Sequence, residues 1–455
     1  MKHQRPPRRS FLFLQGPPGP FFWLLGQKLK ERGCEVHRIN LNGGDKHDWP
    51  GEATDYRGRM SRWALYVDKF LREKDITDLI LFGDCRPMHM AAHQMARLRQ
   101  INVHVFEEGY IRPNWVTLEP DGVNGHSKLS RDPKWFLEQA KSLPPIPDLP
   151  PITASFKRRA RDSYWYYHRV IAGRLLLRFP FYRAHRPGSI LMEGFGWLWK
   201  FWRQEKTERR TVEALERIEN KPYFLFPLQL SSDYQIRTHS PFSSMQEAAE
   251  YVFESFAAFA PKDTLLVVKE HPLECSFFDW RKFVERQASR LRLEDRLIHV
   301  AGGELSQLAQ TSHGMVTVNS TSATFALAVE APVIALGSAI YSVCGITHQG
   351  PLDEFWRNPQ EPDRDVYEAF KKVLHDRCLI RGGFASKSAT KILVESTIKR
   401  LFNVVRLAKD DTSLDAFSGS ALRPFEDRAS CSKQTGRGVA MPKEIADAKM
   451  NETKA

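Results

Sequence analysis

Short apolar runs and amphipathic segments take turns along the first hundred or so residues of the chain. Phe11–Leu14, Glu35–Asn40, Asp78–Phe82 ("DLILF") and Asn102–Phe106 ("NVHVF") have the length and content of strands. Phe21–Arg32, Ser61–Lys74 and His89–Gln100 have helical spacing between them, with Trp63, Leu65, Tyr66 and Phe70 as the apolar residues of the second. Strand–helix alternation of this kind predicts a parallel, doubly wound sheet.

The pattern breaks near Leu143, where "LPPIPDLPP" forms a proline-rich connector. Lys157–Gly188 follows, mixing arginine with aromatic residues. After "NKP" the alternation resumes. Tyr223–Pro227, Thr264–Lys269, Leu297–Val300, Gly314–Val318 and Val333–Leu336 read as strands. Met245–Phe259, Phe278–Leu291, Leu305–Thr311 and Ser322–Glu330 read as helices. Asp365–Asp376 and Lys387–Val405 look like closing helices, and the polar stretch past Ala408 lacks periodicity and reads as disordered. The expected layout is an N-terminal Rossmann-like domain (1–150), a basic and aromatic connector (151–205), a second Rossmann-like domain (206–360), closing helices (361–407) and a tail (408–455).

At 455 residues the chain has room for large cores. Its net charge of +13 changes the picture, because such an excess favours anionic partners: nucleic acid, an anionic membrane surface, or phosphorylated and carboxylated small molecules. No zinc-finger spacing, aromatic RNA-binding signature or basic recognition helix is present, which argues against nucleic acid. The six cysteines are scattered without a CxxC pair and read as reduced thiols. The basic start "MKHQRPPRRS" is followed by an apolar run that "GPPGP" interrupts, so neither a signal peptide nor a membrane span is expected and the location predicted is cytoplasmic.

Ligands of open parallel sheets bind beyond the carboxyl ends of the strands, so the residues after each strand are the candidates. "QGPPGP" follows the first strand, where Gly16 and Gly19 would let a backbone approach a ligand and the next helix would offer N–H groups to an anion. A tight turn explains it equally well, and the same holds for "NGGD" (Asn42–Asp45). "FGD" places Asp84 after its strand, and "EEGY" places Glu107 and Glu108 after the neighbouring one, where a carboxylate could act as a base. In the second half, "KEHP" offers Lys269, His271 and Pro272, the first two as phosphate donors. "NSTS" (Asn319, Ser320, Thr321, Ser322) forms a hydroxyl-rich helix start suited to a phosphate or to plain capping. The polar loop "PLQLSSDYQIRTHSPF" carries Gln229, Asp233, Arg237 and His239.

Taken in order, "FLQGPPGPFF", "INLNGGD", "FEEGY", "PLQLSSDYQIRTHSPF", "KEHP" and "NSTSATFAL" resemble the KpsS/LipB-type capsular polysaccharide biosynthesis proteins over about Phe11 to Phe402. The resemblance implies a GT-B-like α/β fold, two Rossmann-like parallel-sheet domains facing a cleft with C-terminal helices. It implies a retaining β-Kdo transferase that uses CMP-Kdo on a lysophosphatidylglycerol-type lipid and begins the capsule linker. By the same likeness His271 and Ser320–Ser322 would hold the CMP phosphate, and Glu107 or Glu108 would face sugar and acceptor. Asp233 resembles the acid expected to carry the donor sugar. No cofactor or metal is expected, since no DxD pair follows a strand in the donor half. The expected partners are CMP-Kdo, an anionic phospholipid acceptor, the inner-membrane surface and other capsule proteins. The rival expectation is a non-catalytic export or scaffold protein docked on that membrane. The connector suits the interface, with arginines for headgroups and Tyr164, Trp165, Tyr166, Tyr167, Phe179 and Phe181 for the boundary.

Overall fold

A computed structural model describes residues 8–183, 204–231, 233–274 and 278–410 of the chain. The expected tail beyond residue 410, the end of the basic connector, and Cys275 and Cys431 lie outside them.

The first sheet is built from β1 (Ser10–Phe13), β2 (Glu35–Asn40), β3 (Thr54–Asp55), β4 (Asp78–Phe82), β5 (Asn102–Glu108) and β6 (Trp115–Pro120). The second is built from β7 (Tyr223–Pro227), β8 (Leu265–Lys269), β9 (Leu297–Val300), β10 (Gly314–Thr317) and β11 (Val333–Ala335). A last strand, β12 (Leu379–Arg381), returns to the first sheet, whose order is β12-β6-β5-β4-β1-β2-β3. The order of the second sheet is β11-β10-β7-β8-β9.

Each strand's period of two divides its residues between two cores. Phe11 and Phe13 point to the side covered by the helices Phe21–Glu31 and Lys387–Asp410, while Leu12 and Leu14 point to the side of the helices Trp63–Glu73 and Pro87–Leu98. Leu79 and Leu81 join the second group, and Ile80 and Phe82 the first. Burial on both faces explains why β1 and β4 read as unbroken apolar runs. In the second sheet Phe224 and Phe226 pack toward Phe253, Phe256 and Trp356, and Tyr223 and Leu225 pack toward the other face. One apolar cluster runs through both halves by way of Phe136, Ile340, Tyr341, Tyr367 and Phe370.

The second sheet is parallel throughout, as the alternation predicts. The first departs from that expectation at one edge, where β6 pairs antiparallel with both β5 and β12. The physical reason is the short connection from Glu108 to Trp115, which leaves no room for the crossover a parallel pair needs. The expected closing helices therefore belong to the first half. Arg364–Arg377 packs on the helix Pro133–Ser142, and Lys387–Asp410 packs on Phe21–Glu31. The thiol expectation is also corrected, since Cys344 is disulfide-bonded while Cys34, Cys85 and Cys378 are free and buried. Scatter along a sequence carries no information about neighbours in space.

Candidate functional site at the seam between the sheets

Both sheets reverse their strand order once. In the first, β1 starts the chain path and is flanked by β2 and β4; in the second, β7 is flanked by β8 and β10. Two helical crossovers leave such a point in opposite directions and open a crevice beyond the strand ends. The crevice of the second sheet lies beyond Pro227 and Thr317, where the polar loop and the "NSTS" turn begin.

The residues meet there. Gln229, 4% exposed, donates from Nε2 to Asn319 Oδ1 at 2.9 Å and accepts from Asn319 N at 3.0 Å. The same Nε2 lies 3.3 Å from Asp233 Oδ2. Asp233 Oδ1 accepts from Gln235 N at 2.9 Å, which makes Asp233 the N-cap of the helix Tyr234–His239. Asn319 Nδ2 closes the loop on Gln235 O at 3.0 Å. One carboxylate is thus fixed at the switch point by an amide and a backbone N–H. Arg237, on the same short helix, is exposed and donates to Ser243 O, outside this cluster.

"NSTS" differs from the expected open cradle. Ser322 N and Ser322 Oγ both meet Ser320 Oγ, at 3.2 and 2.8 Å, and Tyr341 OH donates to Ser320 O at 2.6 Å. The helix starts at Ala323, and the N–H groups of Ala323 and Thr324 already bond to Ser320 O and Thr321 O. The turn is pre-shaped by its own hydroxyls, so Ser320, Thr321 and Ser322 present side chains and not a row of vacant amides. Lys269 ends β8 and is buried. His271 is half-buried, Pro272 is exposed, and His271 Nδ1 accepts from Leu273 N at 3.1 Å. Glu274 anchors the facing loop by accepting from Ser231 N and Oγ at 3.0 and 2.9 Å.

In the first half, β5 runs two residues further than expected, so Glu107 and Glu108 are strand residues that pair with Thr117 and Val116. Strand alternation sends them to opposite faces. Glu108 takes an ion pair from Arg159 on the helix Phe156–Leu175. Glu107 accepts from the N–H of Glu108 at 3.0 Å and faces the loop at Gly83, where an added Cβ would come within 3.4 Å of its Oε2. Burial, aided by the Glu108 charge, pushes its carboxyl up to about 7, against the pull of the Glu108 N–H and Arg86. A carboxyl poised there can give or take a proton at neutral pH.

Asp84 follows β4 and is 4% exposed. Burial alone would raise its carboxyl, but hydrogen bonds from His126, Cys85 and Val123 N–H outweigh it and hold the group below its ordinary value. His126 Nδ1 lies 3.0 Å from Asp84 Oδ2, and Cys85 Sγ lies 3.2 Å from both Asp84 Oδ1 and His239 Nε2. His239 belongs to the second half, so this cluster ties the seam. Burial holds its imidazole down to about 4.

In the structure "GPPGP" is a tight turn held from within, the second of its two expected readings. Gly19, at φ 108°, donates its N–H to Asp48 Oδ2 at 2.7 Å, and Asp162 lies on its other side. Gly16 has no space for a side chain, since a Cβ would come 2.7 Å from the Phe22 ring. Asp45 and Asp162 beside this turn are ion-paired with Arg38 and Arg158, and burial pushes the Asp48 carboxyl up to about 7. "NGGD" is internal too. Asn42 caps a short helix, and Gly43 and Gly44 admit the close approach of Arg169 and Tyr166 from the helix Phe156–Leu175.

That helix is two-faced. Tyr166 and Phe179 are buried, so these two of the expected boundary residues belong to the core. Tyr164, Trp165, Leu175, Leu176, Leu177 and Phe181 are exposed, beside exposed Arg169, Arg174 and Arg178. Among the described residues no helix is long and apolar enough to cross a membrane.

Sequence reasoning passed over Cys85 and His126, and it took Arg159 for a membrane contact and not for the partner of Glu108. "FGD" was a signal that extended one residue further, whereas nothing near "NGHS" marks His126.

Two sheets, one parallel throughout and one parallel but for an antiparallel edge, with polar side chains gathered at their switch points, define an α/β protein with two Rossmann-like halves. The family model described as "Capsule polysaccharide biosynthesis protein" matches residues 77–384, and the chain belongs to that family. It is 31% identical to the capsule polysaccharide export protein KpsS of Escherichia coli, over 80% of this chain and 94% of that protein. It is 33% identical to the capsule polysaccharide modification protein LipB of Neisseria meningitidis, over 83% and 92% of the two chains. Among solved structures, the beta Kdo 2,4 transferase of Thermosulfurimonas dismutans KpsC aligns over 81% of this chain and 91% of that one, at 13% identity and a TM-score of 0.39. That last similarity is too remote to assign chemistry.

Proposed function

We propose that the protein is a capsule-pathway glycosyltransferase that moves Kdo from CMP-Kdo to a (lyso)phosphatidylglycerol-type lipid with retention of configuration. The observation that carries this reading is the carboxylate of Asp233, held by Gln229 and its own helix at the switch point of the second sheet. A carboxylate so fixed, beside residues able to bind an anion, suits attack on a ketosidic carbon. Lys269, His271 and the Ser320–Ser322 turn stand around the same sheet edge and would meet the donor phosphate, so donor binding itself requires no divalent ion. Glu107 would exchange a proton with the acceptor hydroxyl. Glu108 is assigned a positioning role through Arg159.

In the retaining sequence, an Asp233 oxygen bonds to the Kdo anomeric carbon as the bond to the CMP phosphate oxygen breaks, releasing CMP. The acceptor oxygen then displaces Asp233 from that carbon, and its proton passes to Glu107. The net charge of +13 and the exposed face of the helix Phe156–Leu175 support work at an anionic inner-membrane surface from the cytoplasmic side. The printed name of the Escherichia coli relative favours a second reading, a non-catalytic export component. Mass spectrometry of the products from CMP-Kdo and a defined lipid separates the two. Kdo-modified lipid with matching CMP supports the transferase, and neither product supports the export component.

A further inference from the structure

The seam holds a set of side chains that the proposed transfer does not use. Asp84 and Cys85 come from the loop after β4, His126 from the turn Asn124–His126, and His239 from the end of the helix Tyr234–His239 in the other half. One ligand atom from each lies within 4.8 Å of all the others. We propose that Asp84, Cys85, His126 and His239 form a closed, four-ligand zinc site that pins the two halves of the protein together.

The donor chemistry points to zinc. One thiol, two imidazoles and one carboxylate are its usual ligands, whereas calcium and magnesium take oxygen. Tetrahedral bonds of about 2.0–2.3 Å set neighbouring ligand atoms roughly 3.3–3.8 Å apart. The observed Cys85 Sγ to His239 Nε2 separation is 3.2 Å and the His126 Nδ1 to Asp84 Oδ2 separation is 3.0 Å. Small relaxations of side chains would admit the ion.

Charge balance fits as well. Zn²⁺ replaces the Cys85 thiol proton, which leaves to solvent, and the resulting thiolate with the Asp84 carboxylate neutralises the ion. Two neutral imidazoles complete the shell, so a buried site carries no net charge. Asp84 keeps Val123 N–H on Oδ2 at 3.1 Å, a second contact of the kind that orients a ligating carboxylate.

The surroundings are shaped for the cluster. A Cβ on Gly125 would fall 2.4 Å from His239 Nδ1, and one on Gly122 would fall 2.7 Å from His126 Cβ and 3.2 Å from Asp84 Oδ2. Both glycines let backbone press against the ligands. Because three ligands come from the first half and one from the second, metal binding is linked to closure of the halves. All four positions are filled by protein, which leaves no open place for substrate, so this ion is structural and separate from donor binding.

The experiment uses the full chain, purified without chelators, with zinc and cobalt as probes. Elemental analysis should find about one zinc per chain. Cobalt exchange should give tetrahedral d–d bands and a thiolate-to-cobalt band. Cys85→Ser should remove the thiolate band and keep the d–d bands, and His239→Asn should weaken cobalt binding at least ~10-fold and speed proteolysis between the halves. The wild-type metal content and spectrum need no variant, so a misfolded substitution does not spoil the test. Absence of stoichiometric metal from the folded wild-type chain, or a thiolate band that survives Cys85→Ser, overturns the proposal in favour of a hydrogen-bonded seam.

Discussion

Gln229 and Asn319 hold one another across the gap between β7 and β10 by two hydrogen bonds, of 2.9 and 3.0 Å. The pair fixes the amide that lies 3.3 Å from the Asp233 carboxylate. Asp233 therefore has two separable jobs, capping a helix and presenting a charge. Asn caps as well as Asp. Asp233→Asn should leave unfolding free energy within about 0.5 kcal/mol of the wild type. It should lower transfer at least ~10³-fold and abolish any Kdo adduct seen by intact-protein mass spectrometry after incubation with CMP-Kdo. An adduct that persists in this variant would move the nucleophile elsewhere.

Glu107 makes a pH prediction with a definite sign. Its carboxyl, ordinarily near 4.5, is pushed up to about 7, chiefly by burial. A base must be deprotonated, so kcat/KM should rise as pH passes through about 7 and level above it. Stability should run the other way, because the folded state holds this proton more tightly than the unfolded chain. The contribution is full below the ordinary value and is lost as pH rises to the folded one, at most about 3 kcal/mol for a rise from 4.5 to about 7. Glu107→Gln should flatten both profiles, raising the melting temperature at pH ~8 while slowing transfer. A variant that keeps the wild-type pH–rate limb would assign that limb to another group.

The sequence showed more of the frame than of the site. Apolar runs such as "DLILF" and "YFLFP" are buried on both faces, and such strands announce themselves. Polar residues at strand ends were found for the same reason, since topology alone says where a crevice opens. Antiparallel β6 was missed because its six residues carry no distinctive period, and β12 because three residues are too few. The seam cluster was out of reach, as His126 meets Asp84 only once the first half has folded and His239 meets Cys85 only after the two halves dock. "GPPGP" stayed open between two readings because a glycine turn looks the same whether its N–H meets a ligand or, as with Gly19, an internal Asp48.

Membrane contact can be tested apart from catalysis on the helix Phe156–Leu175 and the turn that follows it. Arg159 pairs with Glu108 and Arg158 with Asp162, so neither is a clean probe of the interface. Arg169, Arg174 and Arg178 are exposed beside Leu175, Leu176 and Leu177. Each basic residue near an anionic surface contributes about 1 kcal/mol. Replacing these three arginines with serine should reduce sedimentation with phosphatidylglycerol vesicles by roughly 10²-fold in affinity. Arg159→Ala should instead slow transfer to a soluble acceptor and leave most vesicle binding. Binding that ignores both the triple substitution and added salt would point to the exposed Trp165 and leucines alone.

His271 supplies the sharpest test of donor recognition. Its Nδ1 accepts a hydrogen bond from Leu273 N at 3.1 Å, so a neutral ring carries its proton on Nε2. On the proposed reading this ring donates from Nε2 to the CMP phosphate. The ring is half-buried in a loop and not packed in either core, so its removal should cost little fold stability. A hydrogen bond to a charged group is worth about 1.5–3 kcal/mol, or roughly 10- to 100-fold in affinity. His271→Ala should raise KM for CMP-Kdo by that factor with a near-native melting temperature. His271→Gln, whose amide can reach forward as a donor, should recover part of the loss. Equal kinetics for all three proteins would remove His271 from the donor site and leave the phosphate to Lys269 and the Ser320–Ser322 turn.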